Sequence, residues 1–214
     1  MAKTSDPPGS GNRTEPAAGP SSATPVAGTP AGRTDLARFD NRAIYNPGPR
    51  WKVLLWFVVN PLILHTYLPI PMGIKRTVLR WFGARLGTGV VIKPAVNVKY
   101  PWFLTVGDYV WIGEQVWIDN LSEVRLGSHV CLSQGAMLLT GNHDYRRSTF
   151  DLTTRPITLE DGVWIGAKAV VGPGVRCGSH AVLSVGSIAT KPLEPYGIYQ
   201  GNPAVWVRRR EIFS

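Results

Sequence analysis

From Leu86 onward an aliphatic residue, or once a cysteine, returns at nearly every sixth position, with glycine, polar or small residues between. The run reads Leu86-Gly-Thr-Gly-Val-Val, Ile92-Lys-Pro-Ala-Val-Asn, Val98-Lys-Tyr-Pro-Trp-Phe. After Leu104-Thr105 it resumes at Val106, Ile112 and Ile118, and after Val124-Arg125 at Leu126, Leu132 and Leu138. A last run is led by Leu159, Ile165, Val171, Cys177 and Leu183. A period of six is neither the 3.6 of a helix nor the 2 of a half-buried strand. In such a hexad the leading aliphatic and a small or β-branched residue four places on point inward. Gly, Asp or Asn between them supports the turn. Three hexads close one triangular coil, and successive coils stack as parallel strands about 4.8 Å apart, each covering its neighbour. The pattern predicts a mainly β solenoid over residues 86–192. An antiparallel β-sandwich would instead alternate with period two and show hairpin turns.

The chain before the repeat divides in two. Residues 1–38 hold no aromatic residue, and 27 of the 38 are Pro, Gly, Ser, Thr or Ala. They cannot bury enough apolar surface to offset their ordering entropy, which predicts a disordered tail. Residues 39–85 form an apolar and basic segment, expected as two short helices over roughly 51–67 and 72–82. The run from Trp51 to Val59 is strongly apolar, but Asn60-Pro61 interrupts it well short of the roughly 20 residues of a bilayer span. Residues 193–214 read as a C-terminal extension.

Charge sharpens this division. The net charge is +9, yet residues 1–38 contribute only +1 of it. No carboxylate lies between Asp40 and Asp108, where Arg42, Arg50, Lys52, Lys75, Arg76, Arg80, Arg85, Lys93 and Lys99 all fall. Two readings of the helical segment stay open: it packs on the solenoid, or it lies as a basic, Trp-rich surface against anionic lipid. No nucleic-acid motif accompanies the basic patch, so no nucleic-acid partner is expected. The N-terminus carries no basic-then-apolar export signal, which predicts a cytoplasmic protein, peripheral at the inner face of the plasma membrane if the lipid reading holds. Cys131 and Cys177 lack the paired spacing of a zinc site and read as small buried hydrophobes.

The repeat breaks once, between His143 and about Thr158, giving a loop over residues 142–158. A regular solenoid has no packing reason for such an excursion, and long loops are commonly functional. His143 stands at its start, in Thr140-Gly-Asn-His-Asp-Tyr145. An imidazole titrates near neutral pH and suits a general base that takes a proton from an acceptor hydroxyl. The bland alternative is a histidine that anchors the loop. His129 and His180 share one turn position of their hexads, and His65 lies in the helical segment, so convergence on a metal ion is not expected. Asp119 and Asn120 break the aliphatic tone of their coil and are candidates for bonding acceptor hydroxyls. Asp144 either orients the base or caps the loop.

Together the hexads, Gly141-Asn-His-Asp144, Val163-Trp-Ile-Gly166, Pro173-Gly174, Ala189-Thr-Lys191 and Gly201-Asn-Pro-Ala204 resemble the hexapeptide-repeat acyltransferases. Tyr100-Pro-Trp102, Gly107-Asp-Tyr109, Ser133-Gln134, Thr140-Gly141 and Gly201-Asn-Pro-Ala-Val205 are most similar to the colanic acid biosynthesis acetyltransferases, over about residues 39–210. The resemblance implies a left-handed parallel β-helix, a homotrimer with active sites between subunits, acetyl-CoA as acyl donor, no metal, and His143 as catalytic base. Carried over from the related maltose and galactoside acetyltransferases, coenzyme A contacts fall on Trp164, Ala167, Val185, Thr190, Lys191 and Arg208. Val205 stands where that branch often has a basic residue, with Arg209 or Arg210 as substitutes. The implied activity is O-acetylation of a sugar hydroxyl in exopolysaccharide biosynthesis, on a sugar or a lipid-linked oligosaccharide. Two rivals remain open: acetylation of a free sugar, serine or antibiotic, and a non-catalytic trimeric scaffold.

Overall fold

The computed structural model describes residues 32–213. The repeat folds as a three-sided parallel β-solenoid of five complete coils and part of a sixth. The first side holds Arg85–Leu86, Leu104–Val106, Val124–Leu126, Ile157–Leu159 and Arg176–Cys177. The second holds Val91–Ile92, Trp111–Ile112, Cys131–Leu132, Trp164–Ile165, Val182–Leu183 and Gly197–Gly201. The third holds Asn97–Val98, Trp117–Asp119, Met137–Leu139, Val170–Val171 and Ile188–Ala189. Ala204–Arg209 then folds back antiparallel on Gly197–Gly201 and closes the second side.

Register confirms the hexads. Leu86, Val106 and Leu126 pair at steps of 20 positions, and Leu159 and Cys177 at a step of 18. The two residues inserted in each early coil, Leu104-Thr105 and Val124-Arg125, lie in the strands of the first side and pair with each other there. On the second side Ile92, Ile112, Leu132, Ile165 and Leu183 form one inward column, all buried. Cys177 joins the core, and burial, then the charge of Glu160, pushes its thiol up to about 12, leaving it protonated and inert.

The turns follow a stricter rule than residue type suggests. In eleven hexads the fourth residue has a positive φ, between 55° and 81°, although six of these residues are not glycine: Ala95, Tyr109, Gln115, His129, Lys168 and His180. Three of them are stacked: His129 lies on Tyr109 with 5.4 Å between ring centroids, and His180 on Tyr196 with 4.9 Å. Glycine at the second position answers a different need. A Cβ on Gly107 would lie 2.7 Å from the backbone of Gly127 and Ser128 in the next coil. Gly107→Ala is therefore expected to lower stability by about 1–3 kcal/mol, because the obstacle is backbone that cannot rotate away. Urea unfolding at fixed protein concentration measures it, and an unchanged midpoint would contradict the close-approach account.

The helices cover the first coil. α1 spans Arg50–Ile63 and α2 spans Met72–Trp81, both within the expected 39–85 segment. Trp56, buried on α1, donates its indole N–H to the Val98 carbonyl at 2.8 Å and packs on Phe82. Lys75 of α2 is buried against the carbonyls of Ile92 and Lys93, and that burial lowers its pKa. Of the expected tail, residues 1–31 lie outside the described residues. Within its remainder Leu36–Arg38 makes a 3-10 turn, and the Asp35 N–H donates to the Ser148 carbonyl. Among the described residues no helix is long and apolar enough to cross a membrane.

Candidate active site

The departure from the solenoid begins at a buried hydroxyl. Thr140 Oγ1 donates to the Asp119 carbonyl at 2.9 Å and accepts the Ser122 N–H at 3.0 Å, fixing the corner from which the loop leaves. Gly141 follows, where a Cβ would lie 2.5 Å from Leu121 Cδ1. Gly141–His143 then pairs antiparallel with Leu152–Thr154, so the loop is a hairpin with His143 opposite Leu152. Its tip is tied by Arg147 to Asp151 at 2.6 Å.

His143 Nδ1 lies 2.8 Å from the Phe150 carbonyl, and its ring stacks on that of Phe150 at 4.3 Å and 8°. A carbonyl only accepts, so Nδ1 carries the proton in the neutral imidazole and Nε2 is left with its lone pair. This is the tautomer a general base requires. The group that orients the imidazole is thus a backbone carbonyl, which residue types do not reveal. Asp144, expected either to orient the base or to cap the loop, accepts the Arg146 N–H at 3.0 Å and caps the loop.

His143 opens on a cleft of about 860 Å³. The solenoid supplies Lys99, Tyr100, Asp119 and Leu121, the loop supplies Leu152, and the N-terminal segment supplies Phe39, Arg42, Tyr45, Arg50 and Leu54. Asp119 pairs with Lys99 at 3.0 Å. The Tyr45 hydroxyl donates to the Leu121 carbonyl at 2.8 Å. Burial first, then Tyr100 and Asp119, raise the Tyr45 pKa, and burial and Asp119 raise that of Tyr100. Both phenols stay protonated near neutral pH. Asn120 differs from expectation: it is fully buried, and its amide both accepts the Tyr100 N–H and donates to the Tyr100 carbonyl. With both ends of its amide used, it positions Tyr100 and does not meet an acceptor. The N-terminal wall is the part that motif reasoning missed, since its residues carry no motif of their own.

The residues expected at coenzyme A lie on later coils. Trp164 is 45% exposed and donates its indole N–H to Ser133 Oγ at 2.9 Å. It stands in an outward column, Trp111, Cys131, Trp164, Val182, Ile198, Arg208, so strand register brings Trp164 and Arg208 to one side. Ala167 and Val185 sit at the next corner, and neither has its backbone N–H engaged within the described residues. The Ala167 carbonyl accepts the Gly186 N–H at 2.9 Å. Thr190 and Lys191 are exposed just beyond Ile188–Ala189. Of the two substitutes for a base at Val205, Arg210 is bound to the carbonyls of Gly162 and His180, whereas Arg209 lies over Tyr196. Among the described residues no three His, Cys, Asp or Glu side chains gather as a metal-binding group.

No protein-family model matches the chain. Over 176 residues it is 36% identical to the acetyltransferase WcaF of Escherichia coli K12, whose name assigns it to colanic acid biosynthesis. That match covers 82% of this chain and 97% of the relative. Galactoside O-acetyltransferase of the same organism is 27% identical over 137 residues, covering 63% of this chain and 68% of that one. Among solved structures, a hexapeptide-repeat acetyltransferase of Vibrio cholerae superposes with a TM-score of 0.69 at 21% identity, covering 76% of this chain and 92% of that one. A galactoside acetyltransferase in complex with coenzyme A gives a TM-score of 0.62 at 22% identity, covering 75% and 82%. These structures share the solenoid, and the match to WcaF spans solenoid, loop and helical segment alike. The chain belongs to the hexapeptide-repeat acetyltransferases, in the group that holds WcaF.

Proposed function

We propose that the protein transfers the acetyl group of acetyl-CoA to a sugar hydroxyl of an exopolysaccharide precursor, with His143 as general base. The observation that carries this reading is the free Nε2 of His143, set by the Phe150 carbonyl, on a residue that lines the same cleft as Lys99 and Asp119. His143 takes the proton of the acceptor hydroxyl as its oxygen attacks the thioester carbonyl. Backbone N–H groups stabilise the tetrahedral oxyanion, and its collapse expels the coenzyme A thiolate, which recovers the proton from the imidazolium. No covalent enzyme intermediate forms.

The donor lies along the column of Trp164 and Arg208. The flat indole meets the pantetheine arm, the unengaged N–H groups of Ala167 and Val185 bond its amides, and Lys191 and Arg208 meet the phosphates, with Thr190 beside them. His143 stands at the corner between the third and first sides, so two copies complete one site in a homotrimer. On the acceptor side Asp119 and Lys99 present a paired acceptor and donor for sugar hydroxyls.

Thiol release from acetyl-CoA, measured on the full chain with free sugars and with polyprenyl-diphosphate-linked oligosaccharides, tests the reading. Saturable transfer to the linked glycans is expected. Saturable transfer to free sugars alone would assign a small-molecule acceptor. Absence of both transfer and acetyl-CoA binding would leave a scaffold.

A further inference from the structure

α1 is apolar on both of its sides, yet only one of them is covered. A surface helix of a soluble protein turns its apolar stripe inward and its charged face to water. At 3.6 residues per turn, Phe57, Leu54, Val58, Trp51, Leu62 and Leu55 fall, with Arg50 and Pro61, in one arc of about 160°. That arc faces outward: Phe57 is 79% exposed, and Trp51 and Leu54 are each 67% exposed. The opposite side, with buried Trp56 and half-buried Val53, Val59 and Ile63 beside Lys52 and Asn60, packs on the solenoid, so the outer arc is apolar surface beyond what the fold uses. Nothing among the described residues covers the outer arc, and so large a contiguous apolar patch marks a binding surface.

Charge selects the occupant. The segment from Asn41 to Gly107 holds nine Lys and Arg and no carboxylate, and Arg42, Arg50, Arg80, Arg85 and Lys93 are exposed. A second copy docked through the same arc would bring like charges together, whereas anionic headgroups complement them. The 14 residues of α1, about 21 Å long, are too few to span a bilayer and suit a helix lying in its interface. Trp81, 80% exposed at the end of α2, is a residue type that favours that depth.

We propose that the outer arc of α1 seats the protein on an anionic lipid bilayer. Arg50 and Leu54 belong both to this helix and to the wall of the His143 cleft. Docking therefore holds the cleft at headgroup level, where the diphosphate of a lipid-linked glycan would lie. That last step rests on the acceptor reading above, whereas docking itself does not.

The test is co-sedimentation of the full chain with vesicles of phosphatidylcholine alone, or mixed in equal parts with phosphatidylglycerol, beside a Phe57→Glu/Leu62→Glu variant. Neither residue lines the cleft. The wild type is expected to bind the mixed vesicles, more weakly as salt rises. The variant is expected to bind about ten- to a hundred-fold more weakly. Turnover on a short water-soluble glycan serves as the control and stays unchanged in the variant, so loss of docking is distinguishable from loss of the acetyltransferase reaction. The proposal is overturned if the wild type stays in the supernatant when the anionic vesicles pellet, or if the variant binds equally. A variant that changes the oligomeric state on light scattering would overturn it as well, assigning the arc to another copy of the chain.

Discussion

His143→Ala is expected to lower turnover by about 10²–10⁴-fold while leaving the fold, the assembly and acetyl-CoA affinity as they are. The magnitude is that of a positioned general base. The acceptor hydroxyl is hardly ionised at neutral pH, so without Nε2 its attack must proceed with water as the proton acceptor. The selectivity of the effect follows from the placement of His143. The residue lies on a hairpin outside the solenoid core, and its contacts are with Phe150, Phe39 and the hairpin's own backbone. The column of Trp164 and Arg208, proposed above for the donor, lies on another side of the solenoid and on later strands. Steady-state thiol release gives the turnover, calorimetry the acetyl-CoA affinity, and light scattering the assembly. Turnover within tenfold of wild type would remove His143 as the base, and its packing between two aromatic rings would then be its whole role.

Ile165→Ala should cost about 2–5 kcal/mol, toward the upper end of that range. Ile165 is completely buried, with Leu132 and Leu183 as its register partners on the strands to either side. The cost of a truncated side chain depends on how far its surroundings can close over the gap. In a solenoid the strand spacing is fixed by continuous backbone hydrogen bonds on all three sides, so the neighbouring coils cannot move in. Leu193, at the last and partial coil, has neighbours on one side only and should cost less when shortened. Urea unfolding of both variants at one protein concentration reads the difference, and equal losses would show that the coils relax independently of one another.

Much of this architecture is legible in the sequence, because a solenoid writes its fold as a period. Every leading aliphatic from Ile92 to Leu183 is buried, and the two-residue steps at Leu104-Thr105 and Val124-Arg125 reappear as the longer spacing of the early coils. His143 is legible for the complementary reason: it stands where the period stops. Less visible is the rule at the fourth position, since Tyr109, Gln115 and Lys168 adopt a conformation that composition would assign to glycine. Asn120 misleads because burial, which spends its amide on Tyr100, leaves no mark in a residue type. Tyr45 bonds a carbonyl 76 positions away, and no local pattern announces a partner at that distance.

The hairpin bearing His143 is inserted without any phase slip. Leu126 pairs with Leu159 across 33 positions as squarely as Leu159 pairs with Cys177 across 18. The scaffold therefore does not register the length of what is spliced in at that corner. Doubling the insert would add only about 0.6 kcal/mol of loop-closure entropy. The insert at that corner can thus change in length and sequence while the strands on either side stay in step, so the hairpin and the column of Trp164 and Arg208 are free to vary independently of each other.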